Sequence, residues 1–254
     1  MSENPSVPDP ARVLTLLRAA GCPWPKPAYV ESTESTNTDA VKLVRRGAVD
    51  GTCLVAGEQT AGRGRHGRTW VSQPGAGLWS STIVRGVTSP TRLPLVAALS
   101  VVDVGLDLGD LSWSIKWPND VLSGTGRKVA GILAEGVADA VVVGIGINIQ
   151  APPAEFAGAG CWVDEAPSPD QSSLLAGLLI ALHTRLHRPW PSNLEDYRAA
   201  CRTIGTSVHV VLPDGEQFDG TGIDVDDDGH LLVRTGQTLR MVVAGDVLHA
   251  TIAP

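Results

Sequence analysis

Residues 57–77 read GEQTAGRGRHGRTWVSQPGAG, and the fold class turns on how this stretch is read. Within it, Gly62-Arg63-Gly64-Arg65-His66-Gly67 meets the GxGxxG spacing of a dinucleotide-binding turn. Such a turn must open a helix, keep small residues where helix meets strand, and find an acidic residue about 20 positions on for a ribose. Here Thr69-Trp70-Val71-Ser72-Gln73-Pro74 follows, which starts no helix, and bulky arginines occupy the close-packed positions. The stretch is therefore a loop, with six glycines in 21 residues, and a doubly wound dinucleotide fold is set aside. Long loops inside compact domains are usually functional.

The elements on either side alternate between helix and strand patterns. Ala11 to Ala20 has apolar residues at helical spacing and ends at Gly21 and CPWPKP. Ser35 or Thr36 can cap a helix through Ala40, Val41 and Val44, with Asp39 in capping-box position and Gly47 closing it. Strands are expected at about Thr52–Ala56, Leu78–Val84, Ser112–Trp117, Lys128–Glu135 and Ala140–Ile149, the last a continuous apolar run suited to burial on both faces. Helices are expected at Leu93–Leu108, Leu174–Leu186 and Asn193–Cys201. From Ser207 the texture becomes short β-type runs between turn signals, PDG at 213–215 and DDDG at 226–229, which suggests a small barrel and a boundary near residue 203.

Composition narrows the function classes. The 254 residues are 43% hydrophobic, enough for a sizeable core, and no apolar run approaches the about 18 residues that span a bilayer. Cysteines at 22, 53, 161 and 201 form no CxxC pair, and no secretory leader is read at the start, so a reducing, cytoplasmic setting is expected. The formal net charge is −7, and Thr203–Pro254 carries two Arg against seven Asp and one Glu, a net −6. That segment is a poor grip for phosphates, and generic nucleic-acid binding is disfavoured.

Three clusters remain as candidates for chemistry. Gly62 to Arg68 places three arginines and three glycines in seven residues. It reads either as a basic surface loop or as a wrap for an anionic substrate, because guanidinium forks and exposed backbone N–H groups suit carboxylate and phosphate. Lys116-Trp117-Pro118-Asn119-Asp120 is an ordinary turn with a solvated lysine, or a strand end that aims Lys116 at an anion. Gly144-Ile145-Gly146-Ile147-Asn148 has strand glycines that mark a bulge or the close approach of a ligand. His183 and His187 stand one helical turn apart without a third ligand, so packing or surface roles suit them better than metal binding. No P-loop, GxSxG or cysteine-nucleophile signature is present.

Taken in order, SerThrAsn at 35–37, GluGlnThrAlaGlyArgGlyArg at 58–65, GlyArgThrTrp at 67–70, LysTrpProAsnAsp at 116–120, LysValAlaGlyIleLeu at 128–133 and GlyIleGlyIleAsn at 144–148 resemble the motifs of bacterial biotin protein ligases. The resemblance implies an α+β fold, a mixed α/β catalytic domain over residues 1–202 followed by a small SH3-like β-barrel over 203–254. It implies that biotin and ATP are converted to biotinyl-adenylate, with Mg²⁺, and that biotin then passes to a lysine of the biotin carboxyl carrier domain of an acyl-CoA carboxylase. It places Ser35, Thr36, Asn37 and Gln59 at the ureido ring of biotin, with Gly62, Arg63, Gly64, Arg65, Lys116, Gly131, Gly144 and Gly146 around the rest of it. The adenylate falls to Arg65, Arg68, Trp70, Lys116, Asn119 and Asn148, and the catalytic charges to Lys116, Arg63 and Arg65.

His66 departs from the pattern, since many members carry an arginine there. Only about 30 residues precede the first motif, too few for a winged helix-turn-helix, so a ligase without operator binding is expected. A weak homodimer is compatible with the resemblance, and membrane attachment is not expected. Lipoate ligation and a non-catalytic biotin or nucleotide sensor are the competing readings. The loop sequence favours biotin, and Lys116 together with three loop arginines favours catalysis.

Overall fold

The computed structural model describes residues 7–153, 156, 158–243 and 246–249, and the extreme termini lie outside it. Its larger unit is a seven-stranded mixed sheet in the order β1-β2-β3-β7-β6-β5-β4. The strands are β1 (Ala28–Thr33), β2 (Cys53–Gln59), β3 (Gly77–Arg85), β4 (Ser114–Lys116), β5 (Asp120–Leu122), β6 (Lys128–Val137) and β7 (Ala140–Asn148). Only β1 and β2 run parallel, joined through helix α2 (Thr36–Arg45), while the other pairs are antiparallel.

The central strand β7 explains the layering. Its odd positions, Val141, Val143, Ile145 and Ile147, join the main core, while Val142 packs with Ala40, Val44 and Ile83 under α2. Both faces are covered at the 140–143 end of the strand, which is why that end is apolar throughout. The main core holds α1 (Pro10–Ala19), α3 (Leu93–Gly109) and α4 (Gln171–His187), with α5 (Trp190–Ala200) packed beside α3. Burying each Leu or Val side chain of this cluster contributes about 1.5–3 kcal/mol against chain entropy. On the opposite face α2 has only ten residues, so the sheet beyond its N-terminus is left uncovered by helix.

The second unit is a five-stranded antiparallel sheet, β8 (Ser207–Val211), β9 (Gln217–Val225), β10 (Leu231–Thr235), β11 (Thr238–Val242) and β12 (Asp246–His249), ordered β11-β10-β9-β8-β12. It is docked by the acidic turn at 226–229. Trp117 Nε1 donates to Gly229 O at 2.9 Å, Arg92 pairs with Asp228 at 3.0 Å and Trp190 Nε1 donates to Asp227 O at 2.6 Å. Thr203 Oγ1 accepts from the Trp117 backbone N–H at 3.0 Å. The second sheet therefore props the turn that carries Lys116 and Asn119. Among the described residues no helix is long and apolar enough to cross a membrane.

The structure corrects several sequence expectations. Ser35 caps α2 without a side-chain hydrogen bond, and Asp39 instead accepts from Thr33 Oγ1 and pairs with Lys42 at 2.7 Å, so no capping box forms. Strands β1 and β5 went unread, the first for its mixed exposure and the second because three residues carry no period. The 57–77 stretch is shorter as a loop, since Gly57–Gln59 ends β2 and Gly77 begins β3. Helices α4 and α5 begin earlier than expected, at Gln171 and Trp190. His183 packs edge-on to Trp24 with ring centroids 5.4 Å apart, in keeping with a packing role.

Candidate active site

The uncovered part of the sheet is the site. Strand pairing sets one row of residues across it, Lys116 opposite Asp120, Asp120 opposite Gly131, Gly131 opposite Gly146, Gly146 opposite Trp79, and Trp79 opposite Ala56. Directly paired residues share a face, so the row runs from a charged end, across two glycines, to an indole. Without side chains at 131 and 146 the middle of the row is a trough. A cavity of about 150 Å³ lies along it, lined by this row from Lys116 to Trp79 and by the loop between β2 and β3.

The glycines are required by sterics. A Cβ at Gly146 would lie 2.7 Å from the Trp70 ring, one at Gly131 2.8 Å from it, and one at Gly144 2.1 Å from Asn37 Oδ1. Trp70 therefore lies over the glycine floor, with its ring centroid 6.3 Å from that of Trp79 in edge contact. Its Nε1 is buried and has no hydrogen-bond partner among the described residues. A buried donor left unpaired costs about 1–3 kcal/mol, so an acceptor brought by a ligand would be favourable there.

The polar end lies where α2 begins. Ser35, Thr36 and Asn37 are 2%, 3% and 4% exposed, yet all three line the cavity. Gln59 Oε1 accepts from the Thr36 backbone N–H at 2.8 Å and from Thr36 Oγ1 at 3.0 Å, while Gln59 Nε2 donates to Ser72 Oγ at 2.8 Å. Ser81 Oγ lies 2.6 Å from Asn37 Oδ1 and 2.7 Å from Thr36 Oγ1, so one proton serves two acceptors. Asn37 Nδ2 donates to Glu135 Oε2 at 2.8 Å. These groups hold one another in fixed orientation, which suits a small polar ring with several donors and acceptors.

The opposite end is cationic. Lys116 and Lys128 both line the cavity, with Arg63, Arg65 and Arg68 from the loop. Arg65 Nη1 donates to Asn119 Oδ1 at 3.1 Å, and Asn119 Nδ2 donates to Ile132 O at 2.8 Å. The loop itself is clipped by bridges between Gln59 and Ser72 and between Arg63 and Thr69. Behind the turn, burial pushes the Tyr197 phenol well above its usual range, with Cys201 and Asp120 adding to the rise, and its hydroxyl lies 3.4 Å from Pro118 O. Tyr197 therefore stays neutral and supports the turn by packing.

Lys128 is the functional candidate that sequence reasoning passed over. Its Nζ lies 5.2 Å from the Trp70 ring centroid and 2.5 Å from Asp120 Oδ1. It opens the KVAGIL motif, so the signal was there, but a lysine at a strand start reads as ordinary solvated charge.

Of the expected site residues, Ser35, Thr36, Asn37, Gln59, Arg63, Gly64, Arg65, Arg68, Trp70, Lys116, Asn119, Gly131, Gly144 and Gly146 come together around this cavity. Gly62 stands at the loop base instead, where a Cβ would lie 2.3 Å from Trp70 O. Asn148 lies across Trp70 in a second cavity of about 200 Å³, walled also by Val71, Ala76, Pro152 and Phe156, and its Nδ2 donates to Gly160 O at 3.1 Å.

A fixed polar end, a cationic end and a mostly apolar annex behind one indole suit the ligases that activate a small carboxylic acid with a nucleotide. Residues 29–150 match the model of the biotin/lipoate A/B protein ligase family, and residues 203–249 match the biotin protein ligase C-terminal domain. The chain is 40% identical over 247 residues to the biotin–[acetyl-CoA-carboxylase] ligase of Mycobacterium tuberculosis, covering 92% of each chain. It is 32% identical to the bifunctional ligase/repressor BirA of Bacillus subtilis, covering 86% of this chain and 72% of that one. The solved biotin protein ligase of Aquifex aeolicus in complex with biotin and ATP superposes with a TM-score of 0.79 at 26% identity, covering 88% of this chain and 97% of that chain. The chain belongs to the biotin protein ligases of this family.

Proposed function

We propose the following division of labour for ATP-dependent biotin ligation in this chain. Ser35, Thr36, Asn37 and Gln59 take the ureido ring, the cavity between them and Trp70 takes the thiophane ring and acyl chain, and the biotin carboxylate ends at Lys116 and Lys128. The annex behind Trp70 takes the adenine, with Trp70 as the wall between the two ligands and Asn148 as a polar contact. The presence of both Lys116 and Lys128 in the lining of the cavity carries the reading, because an attack of carboxylate on phosphate requires two anions to meet and these ammonium groups offset their repulsion.

In the first step a biotin carboxylate oxygen attacks the α-phosphorus of ATP, forming the acyl–phosphate bond as the bond to pyrophosphate breaks. Arg65 and Arg68 meet charge on the phosphates, and Arg63 helps hold the loop across the mixed anhydride. In the second step a neutral lysine amine attacks the acyl carbon, and AMP leaves. No nucleophilic side chain is needed. Excluding water matters, because the anhydride hydrolyses. The acceptor is a lysine of a biotin carboxyl carrier domain, and the setting cytoplasmic.

Mg²⁺ fits this site as an ion carried by the nucleotide. Among the described residues no three His, Cys, Asp or Glu side chains form a metal cage, and Asp120 is the carboxylate that lines the main cavity. Mg²⁺ is usually held by one or two carboxylates plus substrate phosphates, so Asp120 would hold it, and the ion would neutralise phosphate charge.

Two results are expected. With ATP and biotin, a purified carrier domain gains one biotinyl group, and with ATP and lipoate it gains none. Intact mass spectrometry reads this, and lipoyl transfer in place of biotinyl transfer contradicts the substrate assignment. Trypsin cleavage after Arg63, Arg65 or Arg68 slows about tenfold with saturating biotin and ATP, since ligand contacts order a loop that has much entropy to lose. Equal cleavage rates with and without ligands contradict shielding by this loop.

A further inference from the structure

Glu135, on β6, has no assigned part in this chemistry, yet it touches both the loop and the polar end. Its Oε1 lies 3.0 Å from Arg63 Nη2 and its Oε2 accepts from Arg63 Nη1 at 3.3 Å, a two-point grip on the first loop arginine. The same Oε2 accepts from Asn37 Nδ2 at 2.8 Å. Asn37 is bound in turn to Ser81, Ser81 to Thr36, and Thr36 to Gln59, so an unbroken hydrogen-bonded chain runs from the ureido end of the pocket to the loop.

What the loop holds makes the grip consequential. Arg63 is bridged to Thr69, and the Trp70 backbone N–H donates to Gly62 O at 2.8 Å. Fixing Arg63 therefore fixes the segment that lays Trp70 over Gly131 and Gly146. The geometry points to Glu135 as a positioning residue that clasps Arg63 and, through Asn37, couples closure of the loop to occupation of the polar end. The coupling rests on the ligase reading, whereas the clasp itself does not.

The Arg63 and Glu135 side chains are 49% and 26% exposed, so screening by water limits the pair. The two-point geometry and the added Asn37 bond raise it above a median surface pair. An effect of about tenfold is therefore expected, equivalent to about 1.4 kcal/mol. Glu135→Gln keeps an acceptor for Asn37 and removes the charge that grips Arg63.

In the ligand-free protein, Glu135→Gln should speed trypsin cleavage after Arg63 and Arg65 about tenfold at an unchanged melting temperature. With ATP and biotin but no acceptor, the variant should leak biotinyl-adenylate to hydrolysis about tenfold faster, and KM for biotin should rise more than kcat falls. Glu135→Asp, which keeps the charge but is one methylene shorter, should lie between the two and serves if Glu135→Gln folds poorly. Cleavage and leakage both at the wild-type rate would overturn the clasp. Faster cleavage with unchanged leakage and KM would overturn the coupling. If the wild-type protein shows no biotin-dependent turnover, the ligase reading and the coupling fail together, and cleavage of the free protein still decides the clasp.

Discussion

Lys116→Ala should slow biotin-dependent exchange of pyrophosphate into ATP by about 10² to 10³, with the fold intact. Losing one preorganised charge aimed at a developing anion typically costs about 3 kcal/mol of transition-state stabilisation. A solvated lysine in a turn would cost no more than about 1 kcal/mol, or about fivefold, so the two outcomes are well separated. Lys116 stands at the end of β4, directly opposite Asp120, in the row that floors the cavity. Transfer from presynthesised biotinyl-adenylate should suffer less, because the anhydride is then already made. A variant with a normal melting transition and near-normal exchange would show that Lys116 belongs only to the turn.

Lys128→Ala should be at least as damaging, about 10² to 10³ in exchange. The substitution removes a positive charge from the cationic end and breaks its pair with Asp120 at 2.5 Å, the carboxylate that would hold Mg²⁺. It also strips the ammonium from the Trp70 ring, 5.2 Å away, a contact worth about 0.5–1 kcal/mol when partly exposed. Lys128→Arg keeps the charge and should recover much of the loss, while Lys128→Met, similar in length but neutral, should not. Equal activity of the Met and Arg variants would show that the charge at 128 is dispensable and that Lys116 acts with the arginines alone.

How much of this was legible in the sequence depends on whether a feature is local. Arg63 to Arg68 could be read as a wrap for anions because the run is short and its residue types suit that chemistry, whereas Ser35 and Thr36 read only as a helix cap and entered the candidate site through the resemblance. The second sheet was readable because PDG and DDDG punctuate short β runs. What stayed hidden is register. That Lys116, Asp120, Gly131, Gly146 and Trp79 share one row follows from β7 lying between β3 and β6, a long-range pairing that no local pattern encodes. The same holds for Glu135, whose contacts to Arg63 and Asn37 span 72 and 98 residues of chain. The glycines at 144 and 146 could be read as a bulge or as the close approach of a ligand, and in the structure the side chains of Asn37 and Trp70 fill the space a Cβ would take there.

If this pocket activates biotin, the purified chain exchanges labelled pyrophosphate into ATP without any acceptor protein. Adenylation is reversible, so exchange should appear with biotin and should be negligible with lipoate or octanoate. Exchange supported by lipoate or octanoate but not by biotin would contradict the substrate, and no exchange with any of the three acids would contradict catalysis itself and favour a protein that only binds.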